Sequence, residues 1–342
     1  MNVILEIVIG VVVIGILALV HELGHFTAAK LSGIGVEELS VGFGPTIWQK
    51  KTKKTVYKIG ALPILGYAKI KGMEDNFDAP DGYFKKGFWQ RFFTIFMGPG
   101  MNFILAIVIF AVVFSTFGNP FVPTTTVGAL VENGPAYRAG IRVGDKIIEI
   151  NGVNVADNWE KMTEIIHSSN GKPLKITVDR KGKHIDLTVV PQKNPSVQTW
   201  QIGIYRAGKK YSFLVALWEG TVWTGKLLYK MFIFIPMLFT IKGATSVTGP
   251  IGIIAMTGQA ASGGLMNLLW FSAFISIALG FTNLLPFPAL DGSWLVLLIW
   301  EGITKKPVPP EKQMAVQGTG FVILLGLMVL ISIHDIVRLV GK

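Results

Sequence analysis

The chain has 342 residues, of which 51% are hydrophobic and only 15% charged. Soluble domains carry roughly a quarter charged residues, so this composition excludes an ordinary soluble enzyme and points to an α-helical protein that crosses the membrane several times. The net charge of +11 suits positive loops facing the cytoplasm rather than a nucleic-acid partner, and the absence of cysteine excludes disulfides and leaves His, Asp and Glu to hold any metal.

Residues 1–30 open on an almost unbroken apolar run, 3–20, interrupted only by Glu6. At about 1.5 Å per residue this run nearly spans the hydrocarbon layer. It has no basic leader and no small-residue cleavage site before the histidines, so it reads as a retained first span. "HELGH" follows at its far end. The spacing H-x-x-x-H puts two imidazoles on one helix face, one turn apart, as zinc ligation requires. A glutamate beside them can take a proton from a water that the metal activates and later pass it to a leaving nitrogen. His21 and His25 are therefore read as ligands to one zinc ion per chain, and Glu22 as the catalytic base. Ionisable groups at the end of a span need such a role or a partner.

Residues 31–86 alternate short apolar stretches with Gly and Pro, which predicts β-hairpins lying against the membrane. Lys50, Lys51, Lys53, Lys54 and Lys58 make this region basic and place it, with the HELGH end of the span, on the cytoplasmic side. The N-terminus is then extracytoplasmic. Residues 87–118 return as the second span, in which Pro99 of "MGPG" predicts a break or kink. Residues 122–206 are richer in charge, with alternating strands and Gly and Asn turns: an inserted α+β domain on the outer side. In residues 211–262, Glu219, Lys226 and Lys230 share one helix face. That predicts an amphipathic helix lying on the membrane, followed by a loop. Residues 265–303 hold the third span and, beyond it, "NLLPFPALDGS". Residues 314–340 form the fourth. Lys305, Lys306 and Lys312 put the connection between them in the cytoplasm and the C-terminus outside.

Zinc hydrolases commonly add a third protein ligand. Asp291 is the candidate, although an Asp-Gly pair is also a frequent turn. The parity of the crossings favours the ligand: the second span goes out and the third comes back, delivering Asp291 to the side that holds His21 and His25. If the amphipathic helix also crossed, Asp291 would emerge on the opposite face. His167 and His184 read as surface residues of the inserted domain, and His334 as an interfacial side chain.

"HELGH" at the end of a first span, "MGPGMN" in the second, a PDZ-like insertion and "NLLPFPALDG" after the third together resemble the site-2 protease family of zinc intramembrane proteases, over essentially the whole chain. The arrangement is similar to its bacterial branch with a single PDZ domain. The resemblance implies a membrane-embedded metalloendopeptidase of the bacterial inner membrane. Its substrates would be transmembrane segments of single-pass proteins, such as anti-sigma factors or signal-peptide remnants, reached after a first extracytoplasmic cut. It implies zinc on His21, His25 and Asp291, with Glu22 as base. Asn283 would hold the substrate backbone near the metal, Asn102 would join the substrate-binding set, and the strand edge at Gly66 and Tyr67 would pair with an unwound substrate. "GPAYRAGIRVGDKIIEING" resembles the core of bacterial PDZ domains. "WQIGIYR" (200–206) fits their peptide-binding strand, with Ile202, Gly203 and Ile204 in the groove. Such a domain either captures a freshly cut C-terminus or filters out intact ectodomains. "VTGPIGI" (247–253) matches a further family segment. The chain departs from the family at Leu65, where a glycine is usual, and at Ser293, where Asp-Gly-Gly is the commoner motif. A catalytically dead scaffold is disfavoured by the intact Glu22, and a transporter by the lack of an internal repeat.

Overall fold

The computed structural model describes residues 2–122, 124–193, 199–238, 240 and 248–340. In chain order these form helix α1 (Val3–Leu31), strands β1 (Val36–Lys51) and β2 (Val56–Ile70), helix α2 (Phe88–Thr116), strand β3 (Val127–Leu130), helix α3 (Pro135–Arg138), strands β4 (Lys146–Ile150) and β5 (Val153–Asn154), and helix α4 (Trp159–Ser168). Strands β6 (Leu174–Arg180), β7 (Lys183–Val189), β8 (Gln192–Lys193), β9 (Trp200–Gln201) and β10 (Ile204–Arg206) follow. The chain ends in helices α5 (Phe213–Leu238), α6 (Pro250–Ser262), α7 (Leu265–Asn283), α8 (Asp291–Thr304) and α9 (Pro310–Val340). Two compact units result: Met1–Phe110 with Leu217–Lys342, and Ala111–Ala216.

In the first unit, four helices are long and apolar enough to cross a membrane: Val3–Leu31, Phe88–Thr116, Leu265–Asn283 and Pro310–Val337. Their outward side chains, among them Ile4, Val8, Ile16, Val322 and Leu330, are large, apolar and exposed, as a lipid-facing surface demands. Helix α5 is not among the four. Glu219, Lys226 and Lys230 interrupt its apolar run, and both lysines are exposed. Helix α2 passes through Pro99 without a break, contrary to one of the two expected outcomes. The ring deletes a single backbone donor, a loss that helices packed in a membrane tolerate.

The expected loop after α5 is also corrected, because residues 250–262 are helical. Pro250 occupies the first turn, where its missing N–H costs nothing. The helix then packs backbone-close on α1: a Cβ on Gly10 would strike the Ile254 carbonyl, and one on Gly258 would strike Glu6. Ser262 Oγ donates to the Glu6 carboxylate at 2.5 Å, which gives the acid in the first turn of α1 its partner. Gly249 supplies no side-chain cap to α6. Instead the N–H groups of Gly249 and Gly252 donate to Asp335 of α9, at 3.2 and 2.9 Å. Val247, the first residue of the 247–253 segment, lies outside the described residues.

Strands β1 and β2 make one antiparallel hairpin, pairing Val36 with Ile70, Ser40 with Tyr67 and Val41 with Gly66. A lone two-stranded hairpin is marginal in water. Its base is held by burial: Ile34, Val36 and Ile70 pack with Ala29 of α1, Tyr83, Ile95 of α2 and Leu295 of α8. Its far end exposes Phe43, Ile47, Trp48 and Leu62 together with Lys50, Lys51, Lys53 and Lys54. Apolar residues flanked by lysines suit the membrane interface.

The second unit holds a four-stranded sheet of order β5-β4-β6-β7 with the pairs β10-β3 and β8-β9. Ile147, Ile150, Ile176 and Val178 of the sheet, Met162 and Ile166 of α4, and Ile202 form its core. The expected strand 200–206 is split in two. Gly203 adopts φ +76°, a left-handed geometry that turns the chain, and Ile202 swings inward until it is 2% exposed. A cleft of about 210 Å³ remains between α4 and β10, lined by Met162, Ile166, Ile202, Gly203 and Ile204 among others. Across the sheet, Arg180 forks onto the buried Asp145, with Nε and Nη2 each 2.7 Å from a carboxylate oxygen. Burial raises the Asp145 pKa, but the Arg180 hydrogen bonds and the Arg142 amide outweigh it and leave the carboxyl below its usual range.

Arg180→Ala would strand that carboxylate without its charge-assisted donors. We expect faster hydrogen exchange at Ile147 and Ile176 in the full-length variant, with unchanged zinc content. Because the Asp145 pKa is depressed by folding, the pair stabilises the unit above the unfolded-state pKa. The wild-type advantage should vanish as the pH falls through the lowered value.

Candidate metal centre

Helix α1 buries one stripe, Leu17, His21, Gly24, His25 and Ala28, and presents it to α2. The crossing is set by glycines. A Cβ on Gly24 would collide with the Met97 carbonyl, and one on Gly98 would occupy the His25 imidazole. The ring thus lies over bare backbone of α2. Four residues of α2, Arg91, Thr94, Gly98 and Asn102, recur at helical spacing and are buried together.

Helix α8 begins at Asp291 and completes the cluster. Asp291 Oδ2 lies 3.1 Å from His21 Nε2 and 3.3 Å from His25 Nε2. The two Nε2 atoms are 3.2 Å apart. A tetrahedral zinc ion with ligand bonds of about 2.0 Å separates its ligand atoms by about 3.3 Å. The three atoms therefore match one face of such a tetrahedron, and among the described residues no fourth His, Asp or Glu joins the group. Asp291 Oδ2 is buried and makes no hydrogen bond, a costly state for a carboxylate oxygen unless a cation claims it. The donor set fits zinc.

The other ring nitrogens are held from behind. His25 Nδ1 donates to the Thr94 carbonyl at 2.9 Å. His21 Nδ1 faces the Asn102 amide at 3.2 Å. The Thr94 carbonyl puts the His25 proton on Nδ1 and leaves Nε2 for the metal; His21 reaches the same tautomer when the Asn102 amide turns its unpartnered Oδ1 toward Nδ1. Asn102, expected among the substrate-binding residues, is fully buried and sits behind His21, with its backbone carbonyl accepting from Ser276 Oγ at 2.8 Å. At the far end of α8, Arg91 Nη2 lies 2.5 Å from Glu301 Oε2 and covers the rings of Tyr83 and Phe84. This pair ties the helix carrying Asp291 to the helix facing His25.

Glu22 turns toward the hairpin and accepts the N–H of Ala68 at 3.0 Å. A Cβ on Gly66 would stand 3.7 Å from Glu22 Cγ. Along a strand, successive N–H and C=O groups alternate in direction. Gly66 and Ala68 therefore aim their backbone groups at the free edge beside Glu22, and Tyr67 aims its own at β1. The expected edge pair Gly66 and Tyr67 is in this respect Gly66 and Ala68. The Tyr67 hydroxyl donates to Glu38; burial and that carboxylate push its pKa up to about 12. Asn283 ends α7, half-buried, at the start of the segment that leads to Asp291.

The profile of peptidase family M50 matches residues 9–327. A protein of Clostridium acetobutylicum named "Putative zinc metalloprotease" is 38% identical over 334 residues, 97% of either chain. The zinc metalloprotease RasP of Geobacillus kaustophilus is 29% identical over 95% of this chain and 96% of its own.

The glycine crossing generates a test. Gly98→Ala puts a methyl group where the His25 ring must lie, so we expect the folded variant to lose zinc by a factor of at least about 100, as measured by chelator competition. Gly225→Ala, where nothing lies within 4 Å of the added carbon, should bind zinc as the wild type does.

Proposed function

The chain belongs to peptidase family M50, the site-2 proteases, and on that premise we propose that this zinc metalloprotease cleaves transmembrane segments of single-pass proteins at a site formed by His21, His25, Asp291 and Glu22. The observation that carries the reading is the convergence of two imidazoles and one carboxylate, from helices far apart in sequence, at tetrahedral spacing.

Zinc, when bound, supplies Lewis acidity toward the scissile carbonyl and acidifies a water. Glu22 accepts the proton of the attacking water and returns it to the departing amine. His21, His25 and Asp291 hold the metal, while Thr94 and Asn102 hold the imidazoles. A helical substrate hides its carbonyls in internal hydrogen bonds, so it must unwind, and its freed backbone groups need partners in a dry environment. The outer edge of β2 at Gly66 and Ala68 runs beside Glu22 and supplies them by strand addition. Asn283, at the end of α7, adds an amide that both donates and accepts.

The sidedness proposed for the chain rests on its charges. Lys50, Lys51, Lys53, Lys54, Lys305, Lys306 and Lys312 put the hairpin and the metal near the cytoplasmic face. The termini and residues 122–206 then lie outside. This insertion is read as PDZ-like, and the apolar cleft beside Gly203 favours capture of a newly made C-terminus over simple filtering. Anti-sigma factors or signal-peptide remnants, trimmed by a first extracytoplasmic cut, are the substrate class this arrangement suits.

Glu22→Gln keeps the shape and removes the base. It should retain zinc and lower cleavage of a model transmembrane substrate by about 10²–10⁴-fold; normal turnover would exclude the mechanism. Ala68→Pro deletes the N–H that Glu22 accepts. It should slow cleavage with zinc intact, and substrates carrying helix-breaking residues near the cut should recover part of the rate. Equal rates for rigid and helix-broken substrates would exclude edge pairing.

A further inference from the structure

The segment that presents Asp291 leaves one of its N–H groups to a distant partner. The N–H groups of Leu284, Leu285, Phe287 and Leu290 find backbone carbonyls nearby, and Pro286 and Pro288 have none to offer. Ala289 is the exception. Its N–H donates to Oε1 of Gln317, on α9, at 2.6 Å. Ala289 also has φ +80°, a left-handed geometry that costs a residue with a Cβ. The turn therefore does not hold this shape by local preference.

The same glutamine grips the other side of Asp291. Gln317 Nε2 donates to Ser293 Oγ at 2.7 Å, and the Ser293 hydroxyl donates onward to the Leu290 carbonyl at 2.7 Å. One side-chain amide thus fixes residues 289, 290 and 293 together. Both side chains are buried, Gln317 at 6% and Ser293 at 7% exposure. One turn along α9, a Cβ on Gly320 would overlap Pro288, so the helix and the segment meet backbone to backbone. Ser293 stands where the family motif more commonly has glycine, and a glycine would leave Gln317 Nε2 without its acceptor.

We propose that Gln317 is a positioning residue of the metal centre. Through Ala289 and Ser293 it sets the place of the Asp291 carboxylate, and in this chain the serine and the glutamine work as a pair. The fourth membrane span, which contributes no ligand, thereby fixes a ligand's geometry. The inference rests on Asp291 being the third zinc ligand.

The test uses the full-length protein in detergent. Zinc affinity is read by chelator competition, ligand geometry by the visible bands of the cobalt-substituted protein, and the Ala289 amide by hydrogen exchange in the metal-free state. Gln317→Leu should weaken zinc about 10–100-fold, shift the cobalt bands, expose the Ala289 amide, and lower kcat with KM unchanged. Ser293→Gly removes one of the two grips and should weaken zinc in the same direction by a smaller factor. It also serves if Gln317→Leu fails to fold. Wild-type zinc affinity and cobalt bands in a folded Gln317→Leu, or in Ser293→Gly should that variant alone fold, would overturn the proposal. Asp291→Ala separates the two claims. If it binds zinc like the wild type, the ligand assignment itself falls. If it loses zinc while Gln317→Leu does not, only the role of Gln317 falls.

Discussion

Everything in the catalytic half of the chain depends on the close approach of α1 and α2. No side chain separates them where Gly24 meets the Met97 carbonyl and Gly98 lies under the His25 ring. In a membrane, helices gain nothing by escaping water, and close packing of small residues takes over as the force that joins them. Here that packing does a second task. The space left by the missing Cβ of Gly98 is the space His25 needs, so helix association and imidazole orientation are one geometric event.

The remaining polar groups follow from the same constraint. Several find a partner inside the protein, because lipid offers none. His25 turns its rear nitrogen to Thr94, His21 to Asn102, Glu6 takes Ser262, and Arg91, over the rings of Tyr83 and Phe84, takes Glu301. Each contact joins two elements distant in sequence. The polar inventory of the membrane helices is therefore also a record of which helices touch. The Glu22 side of the cluster is lined by a strand, and there the Ala68 N–H meets the Glu22 carboxylate.

The pairing of His21 with His25 was legible because its chemistry is local: three residues between two histidines fix their relative phase on a helix, and the fold brings Asp291 to them. Three features needed the fold. Residues 250–262 carry Gly252, Gly258 and three alanines and read as a loop, yet such small residues are what lets the helix lie against α1. Asn102 stood inside a recognisable motif, but only the helical phase it shares with Thr94 and Gly98 shows that it faces a histidine. That phase was available in the sequence at Arg91, Thr94, Gly98 and Asn102. Choosing Ala68 over Tyr67 requires the direction of one N–H group, which no pattern of side chains encodes. Gln317 gave a fainter signal: a polar residue in an apolar helix, which the cost of burial obliges to face protein.

Asp335 has a consequence for how the chain is made. The helix that packs along α1 begins without a cap of its own and receives one from a residue 83 to 86 positions later, near the end of the last span. During synthesis the third span emerges while that helix end still lacks its acceptor. The amides of Gly249 and Gly252 must wait for the fourth span to be made, so the seam of this helix against the first one closes last.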